Sequence, residues 1–96
     1  MNDKEWSNHV RLRISALKDS FGKIPDYDFS ESGKTIELIH TDDKYTDLKR
    51  GDIGVIEMKH RHSSIENQIW VNWRNGSDLM LLEGKDRYVV VGDLDV

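Results

Sequence analysis

Three of the four histidines and a run of carboxylates carry most of the chemistry open to this chain. His40, His60 and His62 fall near the ends of two β-rich runs, and the spacing His60-x-His62 puts two imidazoles on one face of an extended segment. A metal site of that kind needs a further positioned carboxylate or thiolate, whereas here Lys59 and Arg61 flank the pair and repel a cation. The three rings are therefore read as surface histidines, solvated or pH-responsive, and neither a metal nor a cofactor is expected. Cysteine is absent, which removes disulfides, thiolate catalysis and every Cys-dependent zinc site. Serines and aspartates are plentiful, but no Gly-x-Ser-x-Gly elbow frames a nucleophile and no Gly-x4-Gly-Lys loop cradles phosphate. Asp42 and Asp43 are adjacent in the chain, which does not by itself set two carboxylates across a substrate. The expectation is a protein that is not an enzyme.

Two clusters suit binding instead. Residues 41–52, TDDKYTDLKRGD, place Tyr45 among Asp42, Asp43 and Asp47, an acidic lip with an aromatic at its centre and Leu48 as the packing anchor. In residues 68–74, QIWVNWR, the period of two puts Ile69, Val71 and Trp73 on one face and Trp70, Asn72 and Arg74 on the other. Trp73 is assigned to the core. Trp70 either lies under an N-terminal helix or marks a binding face with Arg74, and Met58, Met80 and Leu82 pose the same question.

The elements that must position these residues follow from periodicity. Trp6, Val10, Ile14, Leu17 and Phe21 recur at helical spacing, and the amphipathic helix they predict is opened by Asn2 with Glu5 three residues on and closed by Gly22 and Pro25. Residues 22–34, GKIPDYDFSESGK, read as a linker held down by Tyr27 and Phe29. Short β-rich runs follow at 35–41, 53–60, 68–74, 79–82 and 87–91, separated by two polar loops, a tight Asn75-Gly76 turn and a turn containing Gly84. Five short strands in so few residues predict a small five-stranded barrel, because closure protects strand edges. The expected organisation is a helix over 1–22, a linker over 23–34 and a β-barrel over 35–96, forming one compact domain of mainly β class.

The 96 residues, 36% hydrophobic and 33% charged, suffice for one small core and leave no room for a deep substrate cavity. The formal net charge of −4 disfavours nonspecific nucleic-acid binding, although the charge is uneven: residues 1–23 carry +2 and the remainder −6. No apolar run is long enough to cross a bilayer, and the N-terminus MNDKEWSNHVRLR has no uninterrupted apolar stretch; a cytoplasmic location and no membrane partner are expected.

The stretches IELIHTDDKYTDLKRGDIGVIEMKH and IWVNWRNGSDLMLLEGKDRY resemble an uncharacterised bacterial domain family, common in phage and mobile-element contexts, with an SH3-like barrel. The residues that carry the resemblance are Asp42-Asp43, Tyr45-Thr46, Leu48, Gly51-Asp52, Gly54, Val71-x-Trp73-x-Asn75-Gly76-Ser77-x-Leu79 and Gly84-x-Asp86-Arg87, all within about residues 35–91. The chain has Lys44 where that family often has proline. The resemblance implies the SH3-like fold and leaves activity open. The functional expectation is a non-catalytic protein-binding module of phage or mobile-element type, an acidic inhibitor of a host nucleic-acid-binding protein in its sharpest form. Its expected contacts are Asp42, Asp43, Tyr45, Asp47, Trp70 and Arg74, and it is expected to be a monomer or a weak homodimer. The alternatives are a nucleic-acid binder using the helix residues Lys4, His9, Arg11, Arg13 and Lys18, and a structural protein that self-associates through the helix stripe.

Overall fold

The structure is a computed structural model describing residues 2–61 and 64–94. Helix α1 runs Asp3–Phe21. Its first turn is fixed by Asn2, whose side chain accepts from the backbone N–H of Glu5 at 2.8 Å, and its last turn by Gly22, whose N–H bonds to Lys18 O. The stripe read from the sequence is the buried one: Trp6, Val10, Ile14 and Leu17 face inward, and Phe21 is half-buried.

Among the described residues six strands follow: β1 (Tyr27–Asp28), β2 (Lys34–His40), β3 (Ile53–His60), β4 (Gln68–Trp73), β5 (Leu81–Leu82) and β6 (Arg87–Asp93). They form one antiparallel sheet in the order β5-β4-β3-β2-β6, with β1 added alongside the end of β3. In place of the expected five-stranded barrel, closed or nearly closed, the described residues form an open six-stranded sheet. The additional strand comes from the segment read as a linker. Tyr27 pairs with His60 and stacks on its ring at 4.4 Å, while Phe21 meets Tyr27 at 4.7 Å, so three aromatic rings tie the end of α1 to β3.

Openness has a local cause in β5. Residues 79–82 read as a strand, but only Leu81–Leu82 pair. The preceding residues satisfy their backbone groups through side chains instead: Asn75 Oδ1 accepts from Ser77 N, Ser77 Oγ from Leu79 N, and Leu79 O accepts the indole N–H of Trp73 at 2.9 Å. The connection is therefore not the tight Asn-Gly hairpin. Asn75 keeps a negative φ, Gly76 alone takes the left-handed one at +87°, and its N–H returns to Trp73 O.

Two apolar layers result. Inside the curled sheet Ile36, Leu38, Leu48, Ile56, Ile69, Val71, Trp73 and Leu81 form the main core, with Leu79 and Tyr88 at its margin. On the outer side of β3, Trp6, Val10 and Ile14 close over Val55, joined by Leu94. Irregular pairing between Ile56 and Met58 in the β3–β4 ladder bends the sheet, as two further irregularities do in the β2–β6 ladder. Gly54 belongs to this tight packing: a Cβ there would lie 2.5 Å from Val71 Cγ1 and 2.8 Å from Trp73 Cε3. Its glycine answers a close approach between strands and not the positive φ found at Gly51.

Candidate functional site

The loop after β2 is built by its own side chains. Asp43 Oδ1 accepts from Tyr45 N at 2.8 Å, Thr46 Oγ1 from Leu48 N at 3.2 Å, and Asp52 Oδ2 from Lys49 N at 2.7 Å. Gly51 at φ +96° turns the chain back so that its N–H reaches Leu38 O. Leu48 is buried in the main core and anchors the loop, as expected, while Tyr45 stands 97% exposed. The loop is thus held at its base by Leu48 and its own turn bonds, with Tyr45 projecting from it.

The segment 77–80 lies against this loop. Asp43, Tyr45, Thr46 and Asp47 share a shallow pocket of about 250 Å³ with Ser77, Asp78 and Leu79. Asp47 and Asp78 make no hydrogen bond or ion pair with any described residue, so two carboxylates in the same pocket as the tyrosine ring retain their full accepting capacity. Asp42 and Asp86 border the neighbouring depression beside Met80, which is 41% exposed. Asp86 is structural: its two oxygens accept from Asp42 N and Leu82 N, at 3.0 and 2.7 Å. Asp42 also meets His40 Nε2 at 2.8 Å. Asp43, Tyr45 and Asp47 are thus brought together with Asp78 of segment 77–80, while Asp42 lies in the neighbouring depression.

Trp70 borders segment 77–80 from a second pocket, and Arg74 lies against α1. Trp70 is half-buried in a groove of about 420 Å³ together with His9 and Arg13 of α1, Glu57, Asn72 and Met80. Its indole N–H is buried and has no hydrogen-bond partner among the described residues. The helix thus borders Trp70 without covering it, an outcome between the two readings. Arg74 is drawn into holding the helix: its Nε lies 3.2 Å from Asp3 Oδ1 and its guanidinium sits 5.6 Å from the Trp6 ring centre. Around them a polar network crosses the helix–sheet boundary. Arg13 Nε donates to Glu57 Oε2 at 3.1 Å, Asn72 Nδ2 to the same oxygen at 3.3 Å, and Trp6 Nε1 to Asn72 Oδ1 at 3.1 Å. Glu57 is the one buried charged residue in the described core, and nothing in the local sequence singled it out, because it sits where the ladder irregularity disrupts the alternation of β3.

The histidines are separated in role. His60 is stacked under Tyr27, His40 faces Asp42, and His62 lies outside the described residues. Among the described residues no group of three His, Asp or Glu side chains is placed to hold a metal ion. At the far end of the sheet Lys59 and Glu83 form a 2.6 Å ion pair, and each hydrogen bond holds its partner charged: the lysine is pushed up and the glutamate down from their ordinary values.

The sequence profile of a domain of unknown function, DUF4314, matches residues 13–91. The chain belongs to that family. The matched region takes in β1 to β5 whole and β6 as far as Val91 and, unlike the stretch of resemblance read from the sequence, also covers the second half of α1. No curated protein and no solved structure matches the chain. No helix among the described residues is long and apolar enough to cross a membrane.

Proposed function

We propose that this protein is a non-catalytic protein-binding module whose acidic lip receives a Lys- or Arg-bearing segment of its partner. The observation that carries the proposal is the pocket at Tyr45, where an almost fully exposed ring shares one shallow surface with the uncommitted carboxylates of Asp47 and Asp78. A guanidinium placed there stacks on the tyrosine face and donates two charge-assisted hydrogen bonds from its N–H groups to those carboxylates. The chain's net charge of −4 adds long-range attraction for a basic partner and repels nucleic acid. In a phage or mobile-element setting such a surface would act by occupying the basic groove of a host nucleic-acid-binding protein.

An SH3-like ancestry fits the same reading. A meander of β2, β3, β4 and β5, with β6 returning to pair with β2, is the strand order by which SH3-like barrels join first strand to last, and the long loop between the first two strands is the one that carries an acidic lip in such barrels. What departs from it is the short β5, which leaves the sheet open.

The test is fluorescence anisotropy of a labelled Arg/Lys-rich peptide titrated with the full chain. Binding that weakens with salt, and that falls about tenfold in a Tyr45→Ala or a combined Asp47→Asn and Asp78→Asn variant, is the expected result. Binding indifferent to these substitutions would sink the proposal. So would retention of a DNA duplex in preference to the peptide.

A further inference from the structure

The strand β6 forms one edge of the sheet, pairing with β2 on one side and with no strand on the other among the described residues. It is seven residues long, and Val89, Val90 and Val91 in its middle are 44%, 51% and 52% exposed. Protected edges are ordinarily short, charged or bulged; this one is long and apolar at its centre, with a single extra residue at Val91 in its ladder with β2. The strand's sequence, RYVVVGD, is also complementary to itself. When two copies lie antiparallel about a twofold axis through Val90, each Arg87 falls opposite Asp93 of the other copy, Val89 opposite Val91, and Val90 opposite its own equivalent. Arg87 and Asp93 make no side-chain hydrogen bond or ion pair with any described residue, so both charges are available for that pairing.

We propose that two copies of this chain associate edge to edge through β6, with the twofold axis at Val90 and reciprocal Arg87–Asp93 pairs fixing the register. A shift of one residue separates the opposite charges, and a parallel arrangement sets like charges side by side. Assembly stops at two copies, because the other edge of the sheet is the two-residue β5. The extra residue at Val91 in the β2–β6 ladder bends the edge beside the axis. The surface is distinct from the helix stripe, which the molecule buries itself, and from the acidic lip, so the dimer leaves the proposed partner site free.

Sedimentation equilibrium of the full chain from about 10 μM to about 1 mM tests the proposal, and a rise from monomer towards dimer mass within that range is expected for an interface of this size. Arg87→Asp and Asp93→Arg each create two like-charge contacts and each shift the midpoint to about tenfold higher concentration or beyond. An equimolar mixture of the two variants restores every opposite-charge contact and forms a heterodimer at least as tight as the wild type. Both positions are exposed, and far-UV circular dichroism verifies that each variant is folded. A wild-type chain that stays monomeric throughout overturns the proposal, as does a dimer unmoved by either reversal or a mixture that fails to recover association.

Discussion

At Gly54 a single methyl group would meet Val71 and Trp73 at distances that no side-chain adjustment relieves cheaply, since both neighbours are packed in the main core. Gly54→Ala is expected to cost about 1–3 kcal/mol, seen as a lower urea midpoint at unchanged slope. Glu57 is a second residue whose substitution is informative. Glu57→Ala removes the acceptor shared by Arg13 and Asn72 and is expected to cost about 1–3 kcal/mol, whereas Glu57→Gln keeps an oxygen for both donors and costs less. Trp70 and Trp73 make opposite predictions from the same chemistry. The indole N–H of Trp73 is bonded to Leu79 O and that of Trp70 is unpaired, so Trp70→Phe is expected to change stability by less than about 1 kcal/mol and Trp73→Phe to destabilise clearly. Asp28 supplies a pH dependence. The Ser30 N–H, bonded to its carboxylate at 2.8 Å, together with the Ser30 hydroxyl and Arg61, lowers its pKa to about 2. The native state therefore binds fewer protons than the unfolded chain below about pH 4, where an ordinary Asp titrates, and this contribution is lost as pH falls from about 4 towards 2. Chemical denaturation at pH 6, 4 and 2.5 should show it, and Asp28→Asn should flatten that part of the profile.

The elements divide into those legible in the sequence and those that were not. Helix α1 was legible at both ends and on its buried stripe, because a cap, a stop and an apolar periodicity from Trp6 to Phe21 all agree. Strands β2, β3 and β4 were legible to within a residue or so for the same reason. The two-residue β1 was hidden in a polar stretch: two residues carry no period, and its pairing with β3 depends on the Phe21–Tyr27–His60 stack, which is set by tertiary contact. Leu79 and Met80 looked like strand but are held by the Asn75 and Ser77 turn bonds, local chemistry that outcompeted β propensity. The acidic lip was readable as composition, yet Asp78 joins it only through folding, and the Glu57 network only through the irregularity in β3. Docking of α1 is the prediction at this scale. Val10 is wholly buried between helix and sheet, so Val10→Asp should release α1, raising acrylamide quenching of Trp6 and lowering stability by about 2 kcal/mol or more.

For the whole molecule, the two sides of the sheet have separate duties. The helix seals the outer side of β3, and Arg13 and Arg74, which could have formed part of a basic surface, are engaged with Glu57 and Asp3 instead. Residues 41–52 and 77–80 carry five aspartates against Lys44, Lys49 and Arg50, and Asp43, Asp47 and Asp78 converge in one pocket where the two segments meet. That convergence is the central claim, and a 15N–1H chemical-shift map of the full chain titrated with an Arg/Lys-rich peptide tests it most directly. Perturbations concentrated at residues 42–47 and 77–80, with α1 and β6 silent, are the predicted result; perturbations centred on the Trp70 groove or the helix, or none at millimolar peptide, would contradict it.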